Sequence, residues 1–268
     1  MTVTFEDVKR HNTALIRKAL EGSVFVKEWH PDDPEIEQIW GENGLIIPPG
    51  YTDVGVLEKK SAQKWARETD QADVESWGYG EPTRRDLTKD TSTVDFVMQE
   101  SKRKVFEIYN SVDLSGVHPD AQGNLVMDKP GRPQPRMYRA FSLSRDGDLD
   151  NAIYFARILP RSMMTKPGDQ TLGEETELQY PVQLTGFTDP KWGTAVREIW
   201  AGPGLDVGAM GFSTAWAATT EYAVGDLVYV AGGELQATAA GTSGATAPAV
   251  PALVGGTVTD GTVTWTRV

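Results

Sequence analysis

Thr176-Glu-Leu-Gln-Tyr-Pro-Val-Gln-Leu-Thr185 changes character at almost every step. Leu178, Tyr180, Val182 and Leu184 fall on one side of an extended chain, and Glu177, Gln179, Pro181 and Gln183 on the other. A period of two marks a strand that buries one face and wets the other. Thr91-Ser-Thr-Val-Asp-Phe-Val-Met-Gln-Glu100 repeats the pattern, with Val94, Phe96 and Met98 opposed to Thr93, Asp95, Val97 and Gln99. Both stretches need a core on one side and a wet surface on the other. Their polar residues Asp95, Gln99, Glu177, Gln179 and Gln183 are therefore the candidate functional face.

Outward from these two stretches the chain stays β-rich. Ser23–Trp29, Trp65–Trp77 and Arg197–Trp200 read as strands. Arg136–Leu143 and Asn151–Leu159 read as a hairpin turning at Asp146-Gly147. Glu100–Tyr109 switches to helical spacing, with Val105, Ile108 and Tyr109 on the apolar side. Phe5, Val8, Leu15, Ile16 and Leu20 predict a further short helix stopping at Gly22. Residues 30–60 and 110–135 are long, irregular and rich in proline and glycine. Such segments tend to be functional, and both are expected to touch other copies rather than fold back on their own domain.

Composition changes near residue 206. Beyond it the charges are Asp206, Glu221, Asp226, Glu234, Asp260 and Arg267, in a background of Gly, Ala, Thr and Val. Gly202-Pro-Gly-Leu-Asp-Val-Gly-Ala-Met-Gly211 reads as a flexible linker. The expected division is a domain over 1–205, then a linker and small all-β module over 206–268. Asp260-Gly261, between Thr257-Val-Thr and Thr262-Val-Thr-Trp, signals a hairpin.

Function is bounded largely by exclusion. The chain has 268 residues, no cysteine, three histidines and a net charge of −12. Thiol nucleophiles, disulfides and thiolate metal sites are ruled out, and a histidine metal site is not expected. The acidic balance disfavours a protein that grips nucleic acid, because that affinity comes from neutralising phosphates. No apolar run approaches 18 residues, so no membrane span is expected, and the N-terminus carries no apolar export signal. Asp146-Gly-Asp-Leu-Asp150 starts like a calcium loop, but Asn151 and Arg157 stand where glycine and glutamate are needed. No phosphate loop or nucleophile elbow occurs, and no carboxylate pair stands out for glycoside chemistry. Catalytic, metal and cofactor residues are all expected to be absent.

Two segments carry resemblances. Ala19-Leu-Glu-Gly-Ser-Val-Phe-Val26, Trp40-Gly41, Gly44-Leu-Ile46, Gly50-Tyr-Thr-Asp-Val-Gly-Val56, Thr93-Val-Asp-Phe96 running into Glu100-Ser101, and Leu178-Gln-Tyr-Pro-Val-Gln-Leu184 resemble the major tail proteins, or tail tube proteins, of bacteriophages with long non-contractile tails (siphovirus type), particularly those of actinobacteria. This covers about residues 15–205. Trp216, Tyr222-Ala-Val-Gly-Asp-Leu-Val228, Gly241-Thr-Ser-Gly244, Pro248 and Asp260-Gly-Thr-Val-Thr-Trp265 resemble a small β module of phage tail and fibre proteins, itself similar to chitin-binding-type modules. Leu235 stands where those modules usually expose an aromatic.

The resemblance implies a mainly β, sandwich- or barrel-like protomer with a flanking α-helix, joined into hexameric rings. The rings stack around a tape measure protein into a tube that ends at tail terminator and tail tip proteins. Asp95, Gln99, Glu177, Gln179 and Gln183 would line the lumen, through which DNA passes without specific binding. Assembly would take place in the host cytoplasm and leave the protein in the virion tail. The alternative is a virion adhesin or decoration protein that binds host cell-wall glycan. Trp216, Tyr222 and Trp265 would then stack on sugar, or equally form the core of the module.

Overall fold

A computed structural model describes Phe5, Lys9 and residues 11–132 and 134–268. It is mainly β, as the alternation predicts. In chain order the elements are β1 (Glu21–Glu28), β2 (Trp40–Gly41), β3 (Gly44–Leu45), β4 (Thr52–Asp53), β5 (Gln63–Val74), β6 (Arg84–Met98), α1 (Arg103–Asn110), β7 (Met137–Asp146), β8 (Ile153–Pro167), β9 (Tyr180–Phe187) and β10 (Arg197–Ala201). There follow β11 (Thr214–Ala215), β12 (Glu221–Tyr222), β13 (Leu227–Val230), β14 (Gly233–Ala239), β15 (Gly241–Thr242), β16 (Thr257–Asp260) and β17 (Val263–Arg267). Contacts divide the chain into two units, Lys18–Gly204 and Leu205–Val268, the latter grouped with the described residues before Lys18.

The larger unit is built on one antiparallel sheet in the order β4-β1-β7-β8-β9-β6-β5, with β10 added to β8, beside a separate short pair β2-β3. The long strand β8 organises it. Tyr154–Ile158 pair with β10 on the side where Arg161–Pro167 pair with β9, so one strand serves two partners in succession. The handover falls at Pro160, which has no N–H to donate. There the β7–β8 ladder also bulges, jumping from Tyr138↔Ser162 to Ala140↔Leu159. A bulge bends a strand and frees backbone groups. Arg139, itself buried, takes up the freed carbonyl by donating from Nε to Pro160 O at 2.9 Å.

The Arg139 charge is matched by Asp189, which is also buried, at 3.3 Å. Burial alone pushes the Asp189 carboxyl up. The Trp29 indole N–H at 2.7 Å, the backbone N–H groups of Trp192 and Lys191, and Arg139 outweigh it and hold the group below the usual carboxylate range.

β7 is buried on both faces. Tyr138 and Ala140 join a core with Val24, Val26, Val94, Phe96, Leu159, Val182 and Leu184, while Phe141 and Leu143 join a second with Ile36, Ile39, Ile158 and Trp192. The helix α1 closes the first core. At eight residues it is too short to be stable alone. Val105 and Ile108, both fully buried, dock it, at about 1.5–3 kcal/mol for each such side chain. Phe106 and Tyr109 meet the Tyr180 ring edge-on at 5.6 and 5.7 Å.

Three expectations change. Thr13–Leu15 form a single 3-10 turn rather than part of a longer helix. Lys18 N–H donates to Asp146 and Leu20 N–H to Arg145 O, and Gly22 lies within β1. Pairing with the end of β7 thus overrides the apolar spacing; Val8 falls outside the described residues. Second, residues 30–54 fold back on their own unit, burying Ile36, Ile39 and Val54. Third, Gly202 and Gly204 are held rather than loose. Gly204 N–H donates to Ala152 O, and a Cβ at either glycine would lie within 2.4 Å of a backbone oxygen.

In the smaller unit β11-β13-β14-β17-β16 form one sheet and β12-β15 a separate pair. Asp260 pairs with Val263, so Gly261 and Thr262 make the two-residue turn. Gly261 has φ of 63°, and a Cβ there would sit 2.2 Å from Thr242 O. Only glycine satisfies both demands.

Candidate functional site

The five candidate residues of the larger unit lie along neighbouring chain segments and are linked in two groups. β6 and β9 pair with Asp95 opposite Gln183 and Phe96 opposite Val182. Opposed residues share a face, so Val94, Phe96, Met98, Tyr180, Val182 and Leu184 point into the core and Asp95 and Gln183 point away. The Gln183 amide donates to Asp95 at 2.9 Å. Beyond the strand ends, Gln99 and Gln179 both donate to Glu177 Oε1, at 2.6 and 2.8 Å. The backbone N–H of Glu177, then the Gln179 amide and the Gln99 amide, hold that carboxyl below its ordinary range, so it stays charged near neutrality. β9 begins only at Tyr180. Leu178 precedes it and is partly exposed, because Thr176 bridges back to Gly173 in a separate turn.

Sequence reasoning missed two members of this face. Lys64 stands opposite Asp95 in the β5–β6 register, and Lys166 opposite Gln183 in the β8–β9 register. Thr165 and Thr185 add a hydroxyl contact at 2.7 Å. The surface therefore combines carboxylates, carboxamides, hydroxyls and two lysines.

A second feature was not legible either. The hairpin β5–β6 runs on past the core as an arm. From Glu68 to Val74 and from Arg84 to Asp90 nearly every residue is exposed, on both faces of the ribbon. Cross-strand ion pairs hold it: Arg67 grips Asp90 through two hydrogen bonds of 2.8 and 2.6 Å, and Arg85 grips Asp73 through two of 2.8 and 3.0 Å. At its end Trp77 is fully exposed and Tyr79 nearly so. A two-stranded ribbon without a core on either side is only marginally stable by itself. The loop 115–132 is also mostly exposed, including the apolar run Leu125-Val126-Met127.

These features belong to a recognisable family. A family model described as "Phage tail tube protein" matches residues 10–196. The chain belongs to the phage tail tube proteins. It is thus a structural protein of the phage tail. No match was found among curated protein sequences. Among solved structures, a chain of the cryo-EM structure of the anti-feeding prophage (AFP) baseplate, 6-fold symmetrised, is similar at a TM-score of 0.33 and 10% identity, over 73% of this chain and 100% of that one.

The matched segment of this tail tube protein contains the polar face, the arm and the exposed loop, and stops short of the small unit. There Trp265 is fully buried, with the Tyr222 ring edge-on at 4.9 Å. Asp260, itself buried, accepts the indole N–H groups of Trp216 at 2.9 Å and Trp265 at 3.2 Å, and Gly244 N–H at 2.7 Å. Leu235 is buried opposite Val228. Trp265 and Leu235 thus sit in the core of the unit, with Trp216 and Tyr222 packed against it.

Proposed function

We propose that copies of this chain close into rings, hexameric by family resemblance, which stack into the tube of a long non-contractile tail, with the polar face of β6 and β9 turned to the lumen. One observation carries this. Asp95 with Gln183, and Glu177 with Gln99 and Gln179, form two hydrogen-bonded polar groups, the first directly behind an apolar core and the second beyond the strand ends. Their carboxylates are capped by amides, and the two lysines of the face stand across from Asp95 and Gln183. A wall of this kind offers phosphates little net attraction, so DNA slides instead of sticking. The arm and the loop 115–132 reach neighbouring copies. The small unit decorates the outside of the tube, and the tape measure, tail terminator and tail tip proteins are the other partners, in a virion assembled in an actinobacterial cytoplasm.

The test is charge reversal on the face. Asp95→Lys with Glu177→Lys should still yield tubes, since both side chains lie outside the core. Genome ejection from virions carrying them should slow at low salt and recover at high salt. Unchanged ejection at low salt would remove the face from the lumen.

A further inference from the structure

The two sides of the β5–β6 arm are unlike. β5 alternates without interruption, so its register with β6 assigns each residue to a side. Lys64 stands opposite Asp95, and Glu68, Asp70 and Ala72 follow on that side. It prolongs the polar face of β6 and β9. Trp65 stands opposite Val94, and Arg67, Thr69, Gln71 and Asp73 follow on the other side. That one prolongs the surface packed on the first core.

Charge is handled differently on the two. On the side continuous with the core, Arg67 grips Asp90 and Arg85 grips Asp73 across the strands, each through two hydrogen bonds of 3.0 Å or less. The guanidinium groups hold both carboxyls below their usual range. Between the two pairs Leu87, more than half exposed, stands opposite Gln71. On the Asp95 side the charges are looser. Lys89 lies 3.9 and 3.8 Å from Glu68 and Asp70, and Arg84 makes a single bond to Asp86 at 2.9 Å. The exposed apolar residue of that side, Val74, comes only at the last pair. An ion pair whose hydrogen bonds are already made can be covered at lower cost than loose charges, which need water. One side is thus built to be covered around Leu87, and the other to stay wet.

We infer that the arm lies on the next copy of this chain through the side that carries Arg67–Asp90, Leu87 and Asp73–Arg85, while the side of Glu68, Asp70 and Lys89 stays open to the lumen. The inference rests on the tube reading above and fixes which way the arm faces in the joint. With the Asp95 side toward the lumen, the opposite side is turned into the wall, and the wall is made of other copies of this chain. The exposed part of the arm extends roughly 20 Å, at about 3.3 Å per residue, so it overhangs its own core and covers a strip of its neighbour. The arm and the surface beneath it are different patches, so the contact is head-to-tail and repeats without closing, as stacking requires.

Because the chain has no cysteine, a single one reports its own position. Glu68→Cys, Thr69→Cys, Asp70→Cys, Gln71→Cys and Ala72→Cys step along β5 at exposed positions and leave both two-bond ion pairs intact. With a small maleimide, free subunits should label at similar rates throughout. In assembled tubes positions 68, 70 and 72 should still label through the lumen, and positions 69 and 71 about tenfold more slowly. Leu87→Glu should raise the concentration needed for assembly about tenfold, whereas Ala72→Glu, on the other side of the same ribbon, should leave it within about twofold. Tubes whose labelling shows no period of two, or the opposite one, or whose growth is indifferent to Leu87→Glu, would overturn the docking alone. Failure of the unmodified chain to form tubes would overturn the tube reading and the docking with it.

Discussion

Ser111 ends α1 in the left-handed conformation, with φ of 52° and ψ of 46°, while its N–H caps the carbonyls of Glu107 and Ile108. Glycine adopts that conformation without Cβ strain. Ser111→Gly should therefore stabilise the fold by about 0.5–1 kcal/mol, read as a higher denaturant midpoint at unchanged slope. Asp189 is the opposite case. Its removal leaves Arg139 buried and unpaired, so Asp189→Ala should cost about 3–5 kcal/mol. The pH dependence follows from the direction of its shift. The folded carboxyl is held below its unfolded value of about 3.9, so its contribution is complete above that value and is lost as pH falls through the folded one. Asp33 shifts the same way: burial raises it, but Lys27 foremost, with Arg139, holds it low. Thermal melts should show stability falling steeply below about pH 4, and Asp189→Asn should flatten that fall.

Elements were legible wherever one side of the chain meets the core. Val94-Asp-Phe-Val-Met98 and Tyr180-Pro-Val-Gln-Leu184 kept their alternation in the structure, and so Asp95 and Gln183 could be placed on one face by period, whereas Gln99, Glu177 and Gln179 lie beyond the strand ends. The arm could not be read this way. A ribbon wet on both faces has no period to show, and Thr69-Asp-Gln-Ala-Asp73 looks like any polar stretch. Residues 30–54 failed for another reason: Ile36, Ile39 and Val54 are single apolar residues among prolines, and only the fold places them over β7 and β8. The arm's ion pairs are exposed and screened by salt, so they add little to the stability of the fold. Replacing Thr69–Lys89 by a short Asn-Gly turn should thus leave the melting temperature within a few degrees of the parent while abolishing tube growth in electron micrographs. Deleting Ser115–Lys129 should act similarly, since the buried anchors Val112 and Leu114 precede the cut. Normal tubes from either variant would exclude that segment from the joint.

At the scale of the whole molecule, the smaller unit has its own sheet and a buried cluster of Val228, Leu235, Ala237, Val263 and Trp265, and lies beyond the family match. Truncation after Asp206 should yield tubes of the same inner diameter and a thinner wall; a truncated chain that stays monomeric would make this unit part of the assembly contact. The arm carries a last implication, for the time before assembly. Two strands that bury nothing open readily into local disorder, and this pair holds Arg67, Arg84, Arg85 and Lys89, each a cleavage point for trypsin. Free subunits should be nicked there first, and a neighbour that covers the arm should abolish the cut. A brief digestion would then count the subunits still waiting to be built in, and in an infected cell the host's own proteases would clear the surplus by the same rule.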